Sequence, residues 1–313
     1  MKDKVKIGLL LTLFLIICMF VQYFFSYAID LVILFFSLVA VREFKRLQTK
    51  SGSPSFKYVS EIACFLIFVA TFVGVLCGFS ALGIILTVLA IILIVYISII
   101  IGSMFIFKKD AENDIFRVAT NMSIKEFAFF KSNNTLTTMI YPTIPMFFLY
   151  LVNHFQQLGF VAFNEKTAGV PMGFVGLILI LMICCLTDTF AMAFGVWIKG
   201  KKLCPRISPN KTIAGALFGL LGGVIGASIT YFVFNLIYPT VFAHVALWQF
   251  LIVGLIGSII SQAGDLLESF LKRKANVKDA GEIFRSHGGA LDRLDSILFN
   301  APFIFACLLF IFG

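Results

Sequence analysis

Charge is scarce in this chain. Only 13% of its 313 residues are Asp, Glu, Lys or Arg, against about 25% in soluble domains. Hydrophobic residues make up 60%, and the mean hydropathy is +1.01. A water-soluble globule of this length cannot bury so much apolar side chain, and a disordered chain would not carry it. No long polar stretch exists, so there is no room for a large soluble domain. The seven cysteines include no CxxC pair, and most lie within apolar runs. That excludes a zinc site or disulfide framework and leaves them as small buried hydrophobes. There is no GxxxxGK[ST] phosphate loop, no internal repeat and no low-complexity tract. The basic start, Lys2, Lys4 and Lys6, resembles a signal peptide, but no small-x-small cleavage site follows the first apolar run. That run is read as a retained helix.

What is present is apolar sequence in long unbroken runs, at about 7–26, 27–41, 59–79, 81–107, 136–155, 171–198, 212–236, 246–264 and 294–313. Membrane β-strands would alternate over about ten residues. Runs of about 20 apolar residues predict spanning helices. The expected fold is an all-α polytopic integral membrane protein of about nine helices. Residues 1–135 would supply the N-terminal helices and residues 136–313 the catalytic ones, in one continuous membrane domain.

The net charge of +9 arises from 25 basic residues, and 24 of them fall in five clusters. Cytoplasmic loops of membrane proteins collect Lys and Arg, so nucleic acid is not the expected partner. With the N-terminus inside, nine crossings place 42–58, 108–135, 199–211 and 265–293 in the cytoplasm. These hold the other four basic clusters, whereas the external segments hold only Lys166. The expected topology is N-in and C-out. Segment 108–135 reads as a solvated loop, with room for one amphipathic helix at the surface.

The 16 acidic residues are distributed differently. Six of them, Asp265, Glu268, Asp279, Glu282, Asp292 and Asp295, fall within 31 residues, together with Lys272, Arg273, Lys274, Lys278, Arg285 and Arg293. Positive-inside bias does not produce such a balanced density, which suits a charged ligand. Asp265, Glu268 and Lys272 share a helical face; the plain alternative is a helix-end Glu268–Lys272 salt bridge. Asp292 and Asp295, three apart, also suit the start of a helix dipole. His287 precedes two glycines, where backbone can approach a ligand closely. Carboxylates from either side of this loop would converge on Mg²⁺, which takes one or two of them plus phosphate oxygens. A pair of metals would clamp the attacking and leaving oxygens of a phosphoryl-type displacement.

A second constellation lies at 187–215. Asp188 sits in an apolar run, where a carboxylate marks function by default, against the alternative of a hydrogen bond to a neighbouring helix. Ser208 is expected to cap the following helix, with Pro209 at its first position. Lys211 and Thr212 beside a helix start would also make an anion site.

These residues resemble the phosphatidate cytidylyltransferases, also called CDP-diacylglycerol synthases. The resemblance rests on Ser269-Phe-Leu-Lys-Arg, Lys278-Asp279-Ala-Gly281 and His287-Gly-Gly-Ala-Leu-Asp292-Arg293-Leu-Asp295. Gly264-Asp265-Leu-Leu-Glu268, Asp188-x-x-Ala191-x-x-x-Gly195 and Ile207-Ser208-Pro209-x-Lys211-Thr212 extend it. It covers about the last 130 residues strongly; in the N-terminal half only Arg42-Glu43-Phe44 is reminiscent. Arg285 and Ala214 depart from the family pattern.

The resemblance implies a Mg²⁺-dependent reaction of CTP with phosphatidate, giving CDP-diacylglycerol and pyrophosphate. It implies Asp265 and Asp292 as metal ligands, with Glu268 and Asp279 nearby. Asp188 would hold a second cation or orient lysines. Lys272, Arg273, Lys278 and Arg293 would hold phosphates. Ser208, Lys211 and Thr212 would bind nucleotide or lipid phosphate, and His287 would join the catalytic loop. The site would face the cytoplasm from the plasma membrane, in contact with membrane lipid, and a homodimer is compatible with it. An ion-coupled transporter or a polyprenol kinase of related fold are the alternatives. A CDP-alcohol phosphotransferase is excluded, because its D-x2-D-G-x2-A-R run has no counterpart.

Overall fold

The structure, a computed structural model, describes residues 2–105, 115–158, 171–242, 244–284 and 288–312. Lys166, Arg285 and His287 lie outside the described residues, so the expectations placed on them do too.

Twelve α-helices, a short 3-10 helix (Phe155–Leu158) and one small hairpin make up the described elements. They are α1 (Lys2–Phe24), α2 (Ser26–Lys50), α3 (Val59–Leu76), α4 (Ala81–Phe105), α5 (Ile115–Thr120), α6 (Ile124–Ile140) and α7 (Thr143–Asn153). Then come α8 (Met172–Ile198), β1 (Lys202–Cys204), β2 (Ser208–Thr212), α9 (Ile213–Ile237), α10 (Pro239–Phe242), α11 (Leu247–Lys274) and α12 (Leu291–Phe312). Seven spans among the described residues are long and apolar enough to cross a membrane, counting α6 and α7 as one. This is an all-α polytopic membrane protein.

Helix α4 shows why lipid must surround it. At 25 residues it is about 37 Å long, more than the ~30 Å hydrocarbon core. Leu82, Leu86, Leu89, Leu93, Ile97 and Ile101 form one exposed stripe along it, while Ala81, Ile84 and Val88 are buried. A helix that is apolar on its outward face is stable in hydrocarbon and not in water.

Helices α8, α9, α11 and α12 pack most extensively, with α7 against α12 and α2 against α7. Between α8, α9 and α11 the contacts run through glycine. A Cβ at Gly226 would stand 2.6 Å from the Met182 carbonyl oxygen, and one at Gly223 would overlap Ser258. Hydrocarbon gives no hydrophobic drive for helix pairing, so such close backbone approach supplies the packing energy.

Two expectations need correction. Segment 108–135, read as a loop with room for one surface helix, holds among its described residues the short α5 and the start of α6, which begins at Ile124 and runs on into a spanning stretch. Ser123 accepts from the Glu126 N–H and Glu126 accepts from the Ser123 N–H, a capping box that starts the helix. Asn133-Asn134-Thr135 therefore lies inside α6. Asn134 donates to the Pro54 carbonyl at 3.1 Å, and Phe56 N–H donates to Thr135 at 2.9 Å. The second correction concerns Ser208, which does not cap α9. Residues 208–212 pair with β1 in an antiparallel hairpin, so Ser208 is extended and the chain turns helical only after Thr212. The Thr212 hydroxyl is the cap, accepting from Gly215 N–H at 3.1 Å.

Far from the charged window, α2 is tied to α7 by a buried polar network. The Asp30 carboxylate meets His154 Nε2 at 2.8 and 2.9 Å and accepts from Asn153 Nδ2 at 3.0 Å. Gln22 donates to Asn153 at 3.0 Å.

Candidate active site

Five chain segments bring polar side chains together toward one end of the bundle: the C-terminal halves of α2, α8 and α11, the hairpin, and the start of α12.

Helix α11 supplies Asp265, Glu268 and Lys272 from one face. Lys211, on β2, reaches across to Asp265 with Nζ 2.6 Å from Oδ2. The hairpin is held there by Arg273, whose Nε donates to the Ile207 carbonyl at 3.3 Å. Lys272 joins α11 to α12, with Nζ 2.7 Å from Asp292 Oδ1 and 3.3 Å from Glu268 Oε2. The Glu268–Lys272 salt bridge therefore exists, but as half of a bridge between helices.

Asp292 is the most engaged of these acids. Its Oδ2 accepts from the Ala280 N–H at 2.9 Å and the Gly289 N–H at 2.7 Å. It thus folds the loop after α11 back onto the start of α12, where unpaired N–H groups favour negative charge. Glu268 is the opposite case. It is fully buried, and the cation beside it among the described residues is Lys272, which it shares with Asp292. Asp295 stands within electrostatic reach of Glu268 and Asp265, one helical turn beyond Asp292. Close approach of α11 and α12 places it there: a Cβ at Gly264 would lie 2.7 Å from the Asp295 carbonyl oxygen. Asp188, on α8, lies within reach of Asp295, Asp265 and Lys211.

The two constellations seen in sequence are therefore one site. Asp188, Asp265, Glu268, Asp292 and Asp295 surround Lys211 and Lys272. Lys278, Asp279 and Arg293 are exposed at its rim, and Ser208 is half-buried on the hairpin. Thr212 is buried as a cap. No three His, Cys, Asp or Glu side chains among the described residues are grouped closely enough to hold a metal ion unaided.

Sequence reasoning did not assign two residues that the fold brings in. Asp295 was visible as the partner of Asp292 on one helical face. Glu43 had only its position beside Arg42 and Phe44 to mark it. It is buried at the foot of α2 and accepts from the Ala290 N–H at 3.0 Å and the Leu291 N–H at 2.8 Å.

Known proteins bear on this site. A sequence profile of the cytidylyltransferase family matches residues 4–311. A phosphatidate cytidylyltransferase of Rickettsia felis is 41% identical over 130 residues, 41% of this chain and 57% of that protein. One of Staphylococcus epidermidis is 37% identical over 147 residues, 47% of this chain and 53% of that protein. One of Brucella abortus is 36% identical over 143 residues, covering 46% and 48%. The chain thus aligns with about half the length of these relatives.

Proposed function

The chain belongs to the cytidylyltransferase family, and on that premise we propose that it converts CTP and phosphatidate to CDP-diacylglycerol and pyrophosphate. One observation carries the reading. Ion pairs Lys211–Asp265 and Lys272–Asp292 join the hairpin, α11 and α12 into a single charged site where the bundle ends. That is where a lipid phosphate and a soluble nucleotide can meet.

In the proposed transfer, a phosphate oxygen of phosphatidate attacks the α-phosphorus of CTP. The bond from that phosphorus to the β-bridging oxygen breaks, and pyrophosphate leaves with the electron pair. The nucleophile is already ionised, so no strong base is needed. The work falls to positioning and charge neutralisation. Lys211 and Lys272 would hold phosphate oxygens within the site, and Lys278, Arg273 and Arg293 would receive them at its rim. Ser208 and Thr212 would set the hairpin that presents Lys211.

Mg²⁺ fits the donors present. They are hard carboxylate oxygens, in excess over the lysines, and Glu268, Asp292 and Asp295 crowd around the one ammonium group of Lys272. Asp265 and Asp292 would hold it, with Glu268 beside them and Asp188 for a second cation. Bound Mg²⁺ would neutralise the charge that develops on the phosphates. The basic clusters support nine crossings, N-in and C-out, with the site facing the cytoplasm from the plasma membrane, where CTP is supplied.

Purified protein in detergent should release pyrophosphate from CTP only when phosphatidate and Mg²⁺ are both present. Release without phosphatidate, or none with both, would overturn the reading. Ion-driven solute uptake by proteoliposomes without product would favour the transporter.

A further inference from the structure

We propose that Glu43, from the N-terminal half of the chain, is a positioning residue for the site: it clamps the backbone where the chain enters α12, next to Asp292. The inference rests on the cytidylyl-transfer reading for its chemistry and on geometry for the clamp.

A helix start leaves its first backbone N–H groups without intrahelical partners, and a buried N–H must find an acceptor. Two carboxylates meet where the chain enters α12 and satisfy backbone N–H groups there and in the loop before it. Asp292, from the helix itself, takes the N–H groups of Gly289 and Ala280. Glu43, from α2, takes those of Ala290 and Leu291, one on each oxygen. A carboxylate is the side chain that offers acceptors on both oxygens and no donor; a glutamine would turn an NH₂ toward one of the two N–H groups.

The loop is shaped to admit this carboxylate. A methyl group at Gly281 or at Gly289 would overlap Glu43 itself. The two glycines thus leave the space that the Glu43 head fills. Further contacts from α2 run beside it: Arg46 pairs with Glu282 at 3.3 Å, and Phe36 stacks on Phe284 at 6.2 Å. Of these α2 residues, Glu43 is the one that reaches the backbone next to Asp292.

The arrangement carries a cost that points to function. Glu43 and Asp292 are like charges within electrostatic reach of each other, both held at one helix start. An apolar contact would join α2 to the loop without that repulsion. What a carboxylate adds is a fixed direction for the 289–291 peptide groups. Through them it sets the aim of the Asp292 oxygen that meets Lys272 at 2.7 Å.

The test is Glu43→Gln in the full-length protein, with Glu43→Ala alongside. Pyrophosphate release and amide hydrogen exchange at Ala290 and Leu291 are measured for each. Glu43→Gln conserves volume and one acceptor, so it should stay folded. The expected result is loss of exchange protection at one or both amides and a fall in kcat of about a hundredfold, since ~1 Å of misplacement has that effect. KM for phosphatidate should stay within about twofold of wild type, because a clamp on the loop acts on alignment and not on lipid affinity. Gly289→Ala, with Glu43 intact, should reproduce the kcat loss. Unchanged kcat in a folded Glu43→Gln protein, or unchanged exchange protection, would overturn the proposal. So would a rise in KM with kcat retained. A wild-type protein that releases no pyrophosphate would sink the reaction reading, while the exchange measurement would still decide whether Glu43 holds the loop.

Discussion

At the scale of single residues, the site is built from ion pairs that join separate chain elements: the hairpin to α11, and α11 to α12. Lys272 is the clearest case, because its ammonium group lies between Glu268 and Asp292. Lys272→Met should keep the aliphatic length but leave both carboxylates without their cation. A loss of about a hundredfold in kcat is expected, comparable to removing one preorganised donor, and steady-state pyrophosphate release checks it. Asp265→Ala and Asp292→Ala should each abolish release in protein that still folds; retained activity in either would remove that residue from the catalytic set. The sequence showed most of these residues, because scarce charge crowded into one window is conspicuous. Glu43 was hidden for the converse reason. It lies 249 positions before Asp292, in a basic cluster that the positive-inside rule already explains.

The Asp30–His154 pair belongs to this scale too. Asp30 lies inside α2 and His154 just past the end of α7, with no motif around either, and contact between α2 and α7 reveals the pair. His154→Ala should leave a buried carboxylate short of its partner and cost about 3 kcal/mol, read as a lower unfolding midpoint in detergent. An unchanged midpoint would mean that Asn153 alone satisfies Asp30.

At the scale of elements, apolar runs located most helices well, because a bilayer requires about 20 apolar residues per crossing. They failed where a helix is specified by its cap. Helix α6 extends a dozen residues before its apolar stretch, and the Ser123–Glu126 box that starts it was legible but unread. The β1–β2 hairpin was not legible, since three- and five-residue strands leave little periodicity to detect. The small residues of α9 had a meaning that hydropathy does not measure. Gly223→Val should drive side-chain atoms into Ser258 and toward the Gly254 carbonyl, 2.8 Å from the Cβ position. Overpacking of this kind costs about 1–3 kcal/mol, and the unfolding midpoint should fall accordingly. A substitution at exposed Leu217, on the same helix, should leave it unchanged.

At the scale of the whole molecule, the basic clusters imply a topology that can be tested directly. In a background without the native cysteines, cysteine at exposed Lys57 or Lys202 should react with an impermeant thiol reagent only in inside-out vesicles. Cysteine at exposed Thr240 should react only in right-side-out ones. Labelling of Lys57 and Lys202 positions from opposite sides would break the nine-crossing count.

Composition by itself determined that the chain is helical and lies in a membrane, because solvation of apolar surface depends on residue type and run length alone. The charged window and its motifs likewise marked, from sequence alone, where chemistry belongs. Only the tertiary structure decided which charges meet. Lys211 finds Asp265, Lys272 bridges Glu268 to Asp292, and Glu43 reaches the start of α12. Those pairings depend on how closely the helices approach, and side chains far apart in sequence become partners only once the backbones between them are packed.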